Sequence, residues 1–324
     1  MVDRRAIVAG LLGMAVAPAS PRAQSKRVPG KIGYLHLTTI NPNHKTLVLL
    51  RNVWQERGYI EGESVFLRSA GGDHARLPSL VAELIGLGVG VLIVVGAAPA
   101  RAASQATKTV PIVAIDMETD PVHAGYASSV SRPGGNITGL FMDLPSIAGK
   151  WIELLREAAP GIKRAGLIWD RTTSRDQLDK AMAAAQAVGL EATVIEARPS
   201  NAYDDIFADF QKGKPAGIVQ LTSPGTAPTF ADVAAAAIRH KLPLITFLKT
   251  NAESGALICY GPVQELYFPR AAVLADRILR GAKVGELPIE RPTNFEFIVN
   301  LRTAKALGLA VPPTLFALAD EVIE

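Results

Sequence analysis

The chain has 324 residues, 48% of them hydrophobic and 20% charged, with a formal net charge of +4. That length exceeds what one core usually sustains, so two lobes are expected, and the apolar content excludes disorder as the state of the main body. The small positive surplus, with no basic stripe interleaved with aromatics, argues against nucleic acid as a partner.

Arg4 and Arg5 precede a twelve-residue apolar run, Ala6 to Ala17, followed by small residues and proline. This is the layout of an export signal, and it is shorter than the roughly 20 apolar residues that span a bilayer. Cleavage is expected after Ala23, with Ala19 as the alternative, so residues 1–23 read as a signal peptide. The stretch Asp3-Arg4-Arg5-Ala6-Ile7-Val8 also resembles a twin-arginine signal, which leaves the export route open. Loss of Arg4, Arg5 and Arg22 with Asp3 lowers the net charge from +4 to +2. Cys259 is the single cysteine and lies in the apolar run Ala256 to Tyr260, where a buried, inert thiol is expected. No cysteine stands in the signal to carry a lipid, so the expected location is the periplasm, as a freely diffusing monomer without membrane insertion.

Lys31 to Leu37 reads as a strand and Lys45 to Arg57 as a helix closed by Gly58. Ser64 to Ser69 alternates as a second strand, Arg76 to Leu87 is helical, and Val89 to Val95 is a β-branched run suited to the middle of a parallel sheet. A helix from Ala100 to Thr107 and a strand from Ile112 to Ile115 complete a four-strand half with doubly wound α/β alternation. The breaker cluster Arg132-Pro133-Gly134-Gly135-Asn136 then interrupts the pattern, and a first crossing between lobes is expected there.

A helix from Ser146 to Ala158 leads into a second alternating half. It comprises strand Arg164 to Trp169, helix Arg175 to Val188, strand Glu191 to Glu196, helix Tyr203 to Gln211, strand Ala216 to Leu221, helix Pro228 to His240 and strand Leu244 to Phe247. Strand Ala256 to Tyr260, a long helix Val263 to Arg280, strand Phe295 to Asn300 and helix Leu301 to Leu307 follow. They fit best if the chain returns to the first lobe near Gly261 and to the second near Pro292. The expected architecture is α/β, two doubly wound Rossmann-like lobes joined by three crossovers, with residues 30–139 plus 262–290 in lobe 1 and 140–261 plus 291–324 in lobe 2.

Several motifs stand in a characteristic order: Gly58-Tyr59 with Glu61-Gly62, Asp120-Pro121-Val122, Ser131-Arg132-Pro133-Gly134-Gly135-Asn136-Ile137-Thr138-Gly139, Tyr260-Gly261-Pro262, and the tail from Asn300 to Leu309. On these the chain resembles the ABC-transporter substrate-binding proteins of the tryptophan- or tyrosine-uptake type, with the type I periplasmic binding fold, over nearly its whole length. The resemblance implies a receptor that captures a small molecule between two lobes and delivers it to an ABC permease. A ligand-sensing module of a signalling receptor on the same fold is the alternative. The loops Asp170-Arg171-Thr172-Thr173-Ser174 and Thr222-Ser223-Pro224 depart from the pattern of such proteins, and both are expected to face the cleft.

Ligands of open parallel sheets lie beyond the carboxyl ends of the strands. In lobe 1 this selects Thr38, Asn43 and His44, then Gly96, Ala97 and Ala98, whose small side chains and following helix suit a carboxylate, and Asp116, Met117 and Asp120. In lobe 2 it selects Trp169, Asp170, Thr222, Ser223, Phe247 and Tyr260, aromatic faces with one carboxylate for an ammonium. The expected ligand is amino-acid-like or an aromatic carboxylate. The alternate spacing of Asp116, Glu118 and Asp120 is compatible with a cation site, but a solvated loop is the expectation, since no glycine-turned calcium loop follows. The five histidines, His36, His44, His74, His123 and His240, lack metal-ligand spacing, and neither a nucleophile elbow nor a phosphate-cradling Gly-Lys-Ser/Thr is present. Neither catalysis, a metal nor a cofactor is expected.

Overall fold

The structure, a computed structural model, describes residues 30–198, 202–223, 226 and 229–324. The expected export signal, residues 1–23, lies outside the described residues. Strands β1 (Ile32–His36), β2 (Val65–Ser69), β3 (Val91–Val95), β4 (Ile112–Asp116) and β5 (Ile137–Phe141) form one parallel sheet in the order β2-β1-β3-β4-β5. Every residue of β3 and β4 is buried, because helices cover both faces and the two-residue period sends alternate side chains to each. Val91, Ile93 and Val95 join the core that holds α1 (Lys45–Glu56) and α9 (Gln264–Leu279), while Leu92 and Val94 join the one holding α2 (Leu77–Gly86) and α3 (Ala97–Ala106).

The second sheet contains β6 (Arg164–Trp169), β7 (Glu191–Glu196), β8 (Ala216–Gln220), β9 (Leu244–Thr246), β10 (Ile258–Pro262), β11 (Phe295–Asn300) and β12 (Glu321–Ile323). Its order is β12-β11-β10-β9-β8-β6-β7, with β10 and β11 antiparallel and the other neighbours parallel. Helices α4 (Leu144–Ala158), α5 (Asp176–Ala187), α6 (Tyr203–Gln211), α7 (Phe230–Arg239), α8 (Lys249–Glu253), α10 (Leu301–Leu307) and α11 (Pro313–Leu318) accompany it. Read from β7, the first five strands repeat the order of the first sheet.

The chain passes between the sheets three times: between β5 and α4, between β10 and α9, and before β11. Arg291, in the third passage, ties these segments by pairing with Asp143 in the first at 3.0 Å and with Asp120 at 3.8 Å. The breaker cluster at Arg132 to Asn136 is not the first passage, contrary to the sequence expectation. It carries the chain into β5: Asn136 Nδ2 donates to the carbonyls of Val110 at 2.9 Å and Thr107 at 3.2 Å, and the Gly134 amide donates to the Gly285 carbonyl at 3.0 Å.

The motifs that carried the resemblance are largely folding devices. The Tyr59 hydroxyl donates to Asp276 at 2.9 Å, where Arg280 approaches both carboxylate oxygens at 3.0 Å, so the end of α1 is locked to α9. Gly139 has φ of +139°, and a Cβ there would lie 2.0 Å from the Ala114 carbonyl oxygen, which restricts the position to glycine. Asn300 caps α10 by accepting from the Thr303 amide at 2.9 Å, and Gly308 ends that helix in the left-handed conformation. Tyr59→Phe keeps the ring and removes one donor to the buried Asp276, which keeps Arg280 and Arg57. The expected loss in urea unfolding is about 1 kcal/mol.

Candidate ligand-binding site

Both sheets change winding direction beside their first strand, between β1 and β3 and between β6 and β8, and the chain leaves these strands at ends that face one another. A cavity of about 240 Å³ lies between them. Its walls come from the segments after β1, β3 and β4 on one side, from those after β8 and β9 on the other, and from the start of α9. Tyr34, Leu47, Phe230, Phe247, Leu248 and Phe268 make much of the surface apolar, and no Asp, Glu, Lys or Arg among the described residues lines it.

The polar groups are few and fixed. Gln220 ends the apolar strand β8 and is buried; its Nε2 is 3.5 Å from the Thr226 carbonyl and its Oε1 has no hydrogen-bond partner among the described residues. Gln177 holds the backbone of Thr222 from both sides, accepting from its amide at 3.1 Å and donating to its carbonyl at 3.2 Å. The Thr222 Oγ1 is buried and equally without a partner among the described residues. His36 Nδ1 accepts from the Thr38 amide at 3.1 Å, and burial pushes its pKa below the ordinary imidazole value. The lowered pKa favours the neutral ring.

A smaller annex of about 70 Å³ shares Thr38 and Gly96 with the main cavity. Gly72, His74, Gly96 to Pro99 and Glu118 line it from the first lobe, and Thr172 and Thr173 from the second. Gly96 is the N-cap of α3, with no side-chain cap, so the first amides of that helix lack an intrahelical acceptor.

Among the residues singled out in the sequence, Thr38, His44, Gly96, Met117, Thr222, Ser223 and Phe247 line the main cavity, and Ala97 and Ala98 line the annex. Six others lie elsewhere. Asn43 is exposed, its amide donating to Asn41 Oδ1 at 3.0 Å, and Asn41 takes the cavity wall instead. Asp116 is fully buried and spends Oδ1 on the amides of Glu118 and Thr119 at 2.9 and 3.0 Å. Asp120 caps the next turn by accepting from Val122 and His123 at 2.8 and 2.9 Å.

The expected ammonium partner, Asp170, is already engaged: Oδ1 accepts from the amide and hydroxyl of Thr172, and Oδ2 from the Ser223 hydroxyl. Trp169 closes the same turn, donating to the Ser174 carbonyl at 3.3 Å with the Arg175 guanidinium over its ring. Tyr260 stacks on Phe295 with centroids 5.7 Å apart, away from the cavity, because β10 pairs with β11 at that point. The solvated-loop expectation fails as well, since Asp116 is 0% and Glu118 3% exposed. Burial raises the pKa of both, and the Asp116 and Asp170 carboxylates add to the rise at Glu118.

Sequence reasoning missed Gln220, Asn251, Gln264 and Phe268, all on the wall. Gln220 left one signal, a polar residue ending an otherwise apolar strand. Gln264 and Phe268 left none, because only the return of α9 to the first lobe brings them to the cleft.

Two parallel sheets with facing carboxyl ends, three chain passages and a cavity between them are the type I periplasmic binding fold. The chain belongs to the ABC transporter substrate binding protein family, whose sequence pattern it matches over residues 49–323. It is 28% identical over 259 residues to the tyrosine-binding protein of Clostridioides difficile, across 79% of this chain and 74% of that protein. It shares its fold with the ABC domain from Streptococcus pneumonia solved in complex with L-Trp, with a TM-score of 0.80, 21% identity, and 91% and 99% of the two chains covered. A conserved domain protein from Vibrio cholerae matches over the same shares with a TM-score of 0.80 and 23% identity. Among the described residues no helix is long and apolar enough to cross a membrane, and no group of three or more His, Cys, Asp or Glu converges on a metal site.

A carboxyl whose folded pKa is raised binds its proton more tightly folded than unfolded, so its contribution worsens as pH rises above the ordinary glutamate value of 4.5. Glu118→Gln keeps the shape and removes that penalty. The ligand-free variant is expected to melt above wild type at pH 7, with the difference closing as pH falls below 4.5. Scanning calorimetry at both pH values checks the sign.

Proposed function

We propose that the chain is an extracytoplasmic receptor that traps an aromatic amino acid between its lobes, releases it chemically unchanged and hands it to an ABC permease. The carrying observation is the pair of buried acceptors, Gln220 Oε1 and Thr222 Oγ1, without partners among the described residues on the wall of a mainly apolar cavity. An unpaired buried polar group costs about 1–3 kcal/mol, which a bound solute recovers. The aromatic ligands named for the clostridial relative and the streptococcal structure support the choice of solute, and so do the rings of Phe230, Phe247 and Phe268. The volume, about 240 Å³, is below the roughly 300–1,000 Å³ common for drug-sized ligands and suits a single amino acid.

In this reading the ring lies in the main cavity and the carboxylate meets the amides of Ala97 and Ala98 at the positive end of α3. Burial of a ring contributes about 2–3 kcal/mol, and each charge-assisted hydrogen bond about 1.5–3 kcal/mol, enough for roughly micromolar affinity. Residues 1–23 are removed on export, the mature monomer diffuses in the periplasm, and its lobes swing about the three passages.

Isothermal titration against L-tryptophan, L-tyrosine and L-phenylalanine, with sugars as controls, is expected to give micromolar binding for at least one aromatic amino acid. Gln220→Ala is expected to weaken it about tenfold by leaving a ligand donor unpaired, and Ala97→Asp at least about tenfold by placing a carboxylate beside the ligand's own. Binding of none of the three would overturn the reading.

A further inference from the structure

Among the described residues the main cavity provides no charged side chain for the amino group of such a ligand, and Asp170 is taken up within its own lobe. Asp116 also has an oxygen, Oδ2, without a partner among the described residues but lines neither cavity, so Glu118 is the carboxyl that borders the site. It lines the annex, is 3% exposed, and its Oε1 has no hydrogen-bond partner among the described residues. A buried, unpaired carboxyl next to a cavity is costly unless a donor enters that cavity.

The annex also contains the uncapped start of α3, so one small space presents a carboxylate-binding group and an ammonium-binding group together. Gly96, which borders both cavities, has no side chain to separate them. From this we infer that Glu118 receives the free α-ammonium of the ligand, so that the annex reads the zwitterionic headgroup while the larger cavity reads the ring. The inference rests on the aromatic amino-acid reading above and adds to it a specificity-determining residue. An inorganic divalent cation fits less well, because no three potential ligands converge among the described residues.

The surrounding charges favour a cation in that position. Asp116 on β4 and Asp170 after β6 both act on Glu118; Arg101 on α3 bears on Asp116, and His74 borders the annex. Burial together with the two carboxylates raises the pKa of Glu118 in the empty site. An ammonium beside Glu118 favours its ionised form, so ligand binding is linked to loss of a proton from this carboxyl and affinity rises with pH through its titration. A ligand with a blocked or absent amino group gains nothing from Glu118.

The test compares L-tryptophan with its deaminated analogue, 3-(indol-3-yl)propanoate, by titration calorimetry on wild type and Glu118→Gln. Wild type is expected to prefer L-tryptophan by about tenfold or more, and the variant to lose that preference through weaker L-tryptophan binding, with the analogue unchanged within about twofold. Analogue binding by the variant also reports that it is folded. Unchanged L-tryptophan affinity in the variant, or an equal loss for both probes, would overturn the assignment. If wild type binds none of the aromatic amino acids, the ligand reading itself falls and the assignment falls with it, a result obtained before any variant is made.

Discussion

Gln220 and Thr222 stand where burial and polarity conflict. Each places an acceptor in a buried wall with no hydrogen-bond partner among the described residues, although the surrounding backbone is held firmly by Gln177 and the β8 register. A fold optimised for stability alone would fill this space with apolar side chains or pair the acceptors locally. In the proposed reading a solute entering the cavity supplies the missing donors, and that requirement connects the cavity, the facing strand ends and the passages between lobes.

Much of the architecture was legible because parallel sheets impose simple patterns. The runs at Val91 to Val95 and Ile112 to Ile115 are apolar without interruption, as strands covered on both faces must be. The elements that escaped notice are those that depend on tertiary partners. β5 follows a proline-glycine cluster that looks like a linker, and only its pairing with β4 and the packing of Gly139 against Ala114 make it a strand. β12 is three residues long and exists through its pairing with β11.

The site was less legible than the fold for a related reason. The rule that ligands lie beyond strand ends selected segments that border the cavity, and Thr38, Gly96, Met117, Thr222, Ser223 and Phe247 fall on its wall. It cannot tell which side chains in a segment turn inward. Asp120 and Asp170 resemble ligand groups in sequence but cap their own turns, since a short carboxylate satisfies neighbouring amides before it reaches a cleft. Glu118, with a longer side chain and no amide to cap, was hidden inside an acidic run that reads as solvated loop. The motifs that carry the resemblance brace each lobe internally, whereas Thr172, Thr173, Thr222 and Ser223, in loops expected to face the cleft, line the cavity and its annex.

If a solute completes the closed form, the lobes should lie apart when empty and together when filled. Small-angle X-ray scattering of the purified protein, with and without saturating L-tryptophan, measures that difference directly. Closure around the ligand predicts a smaller radius of gyration in its presence; an identical scattering profile at demonstrated saturation would contradict it.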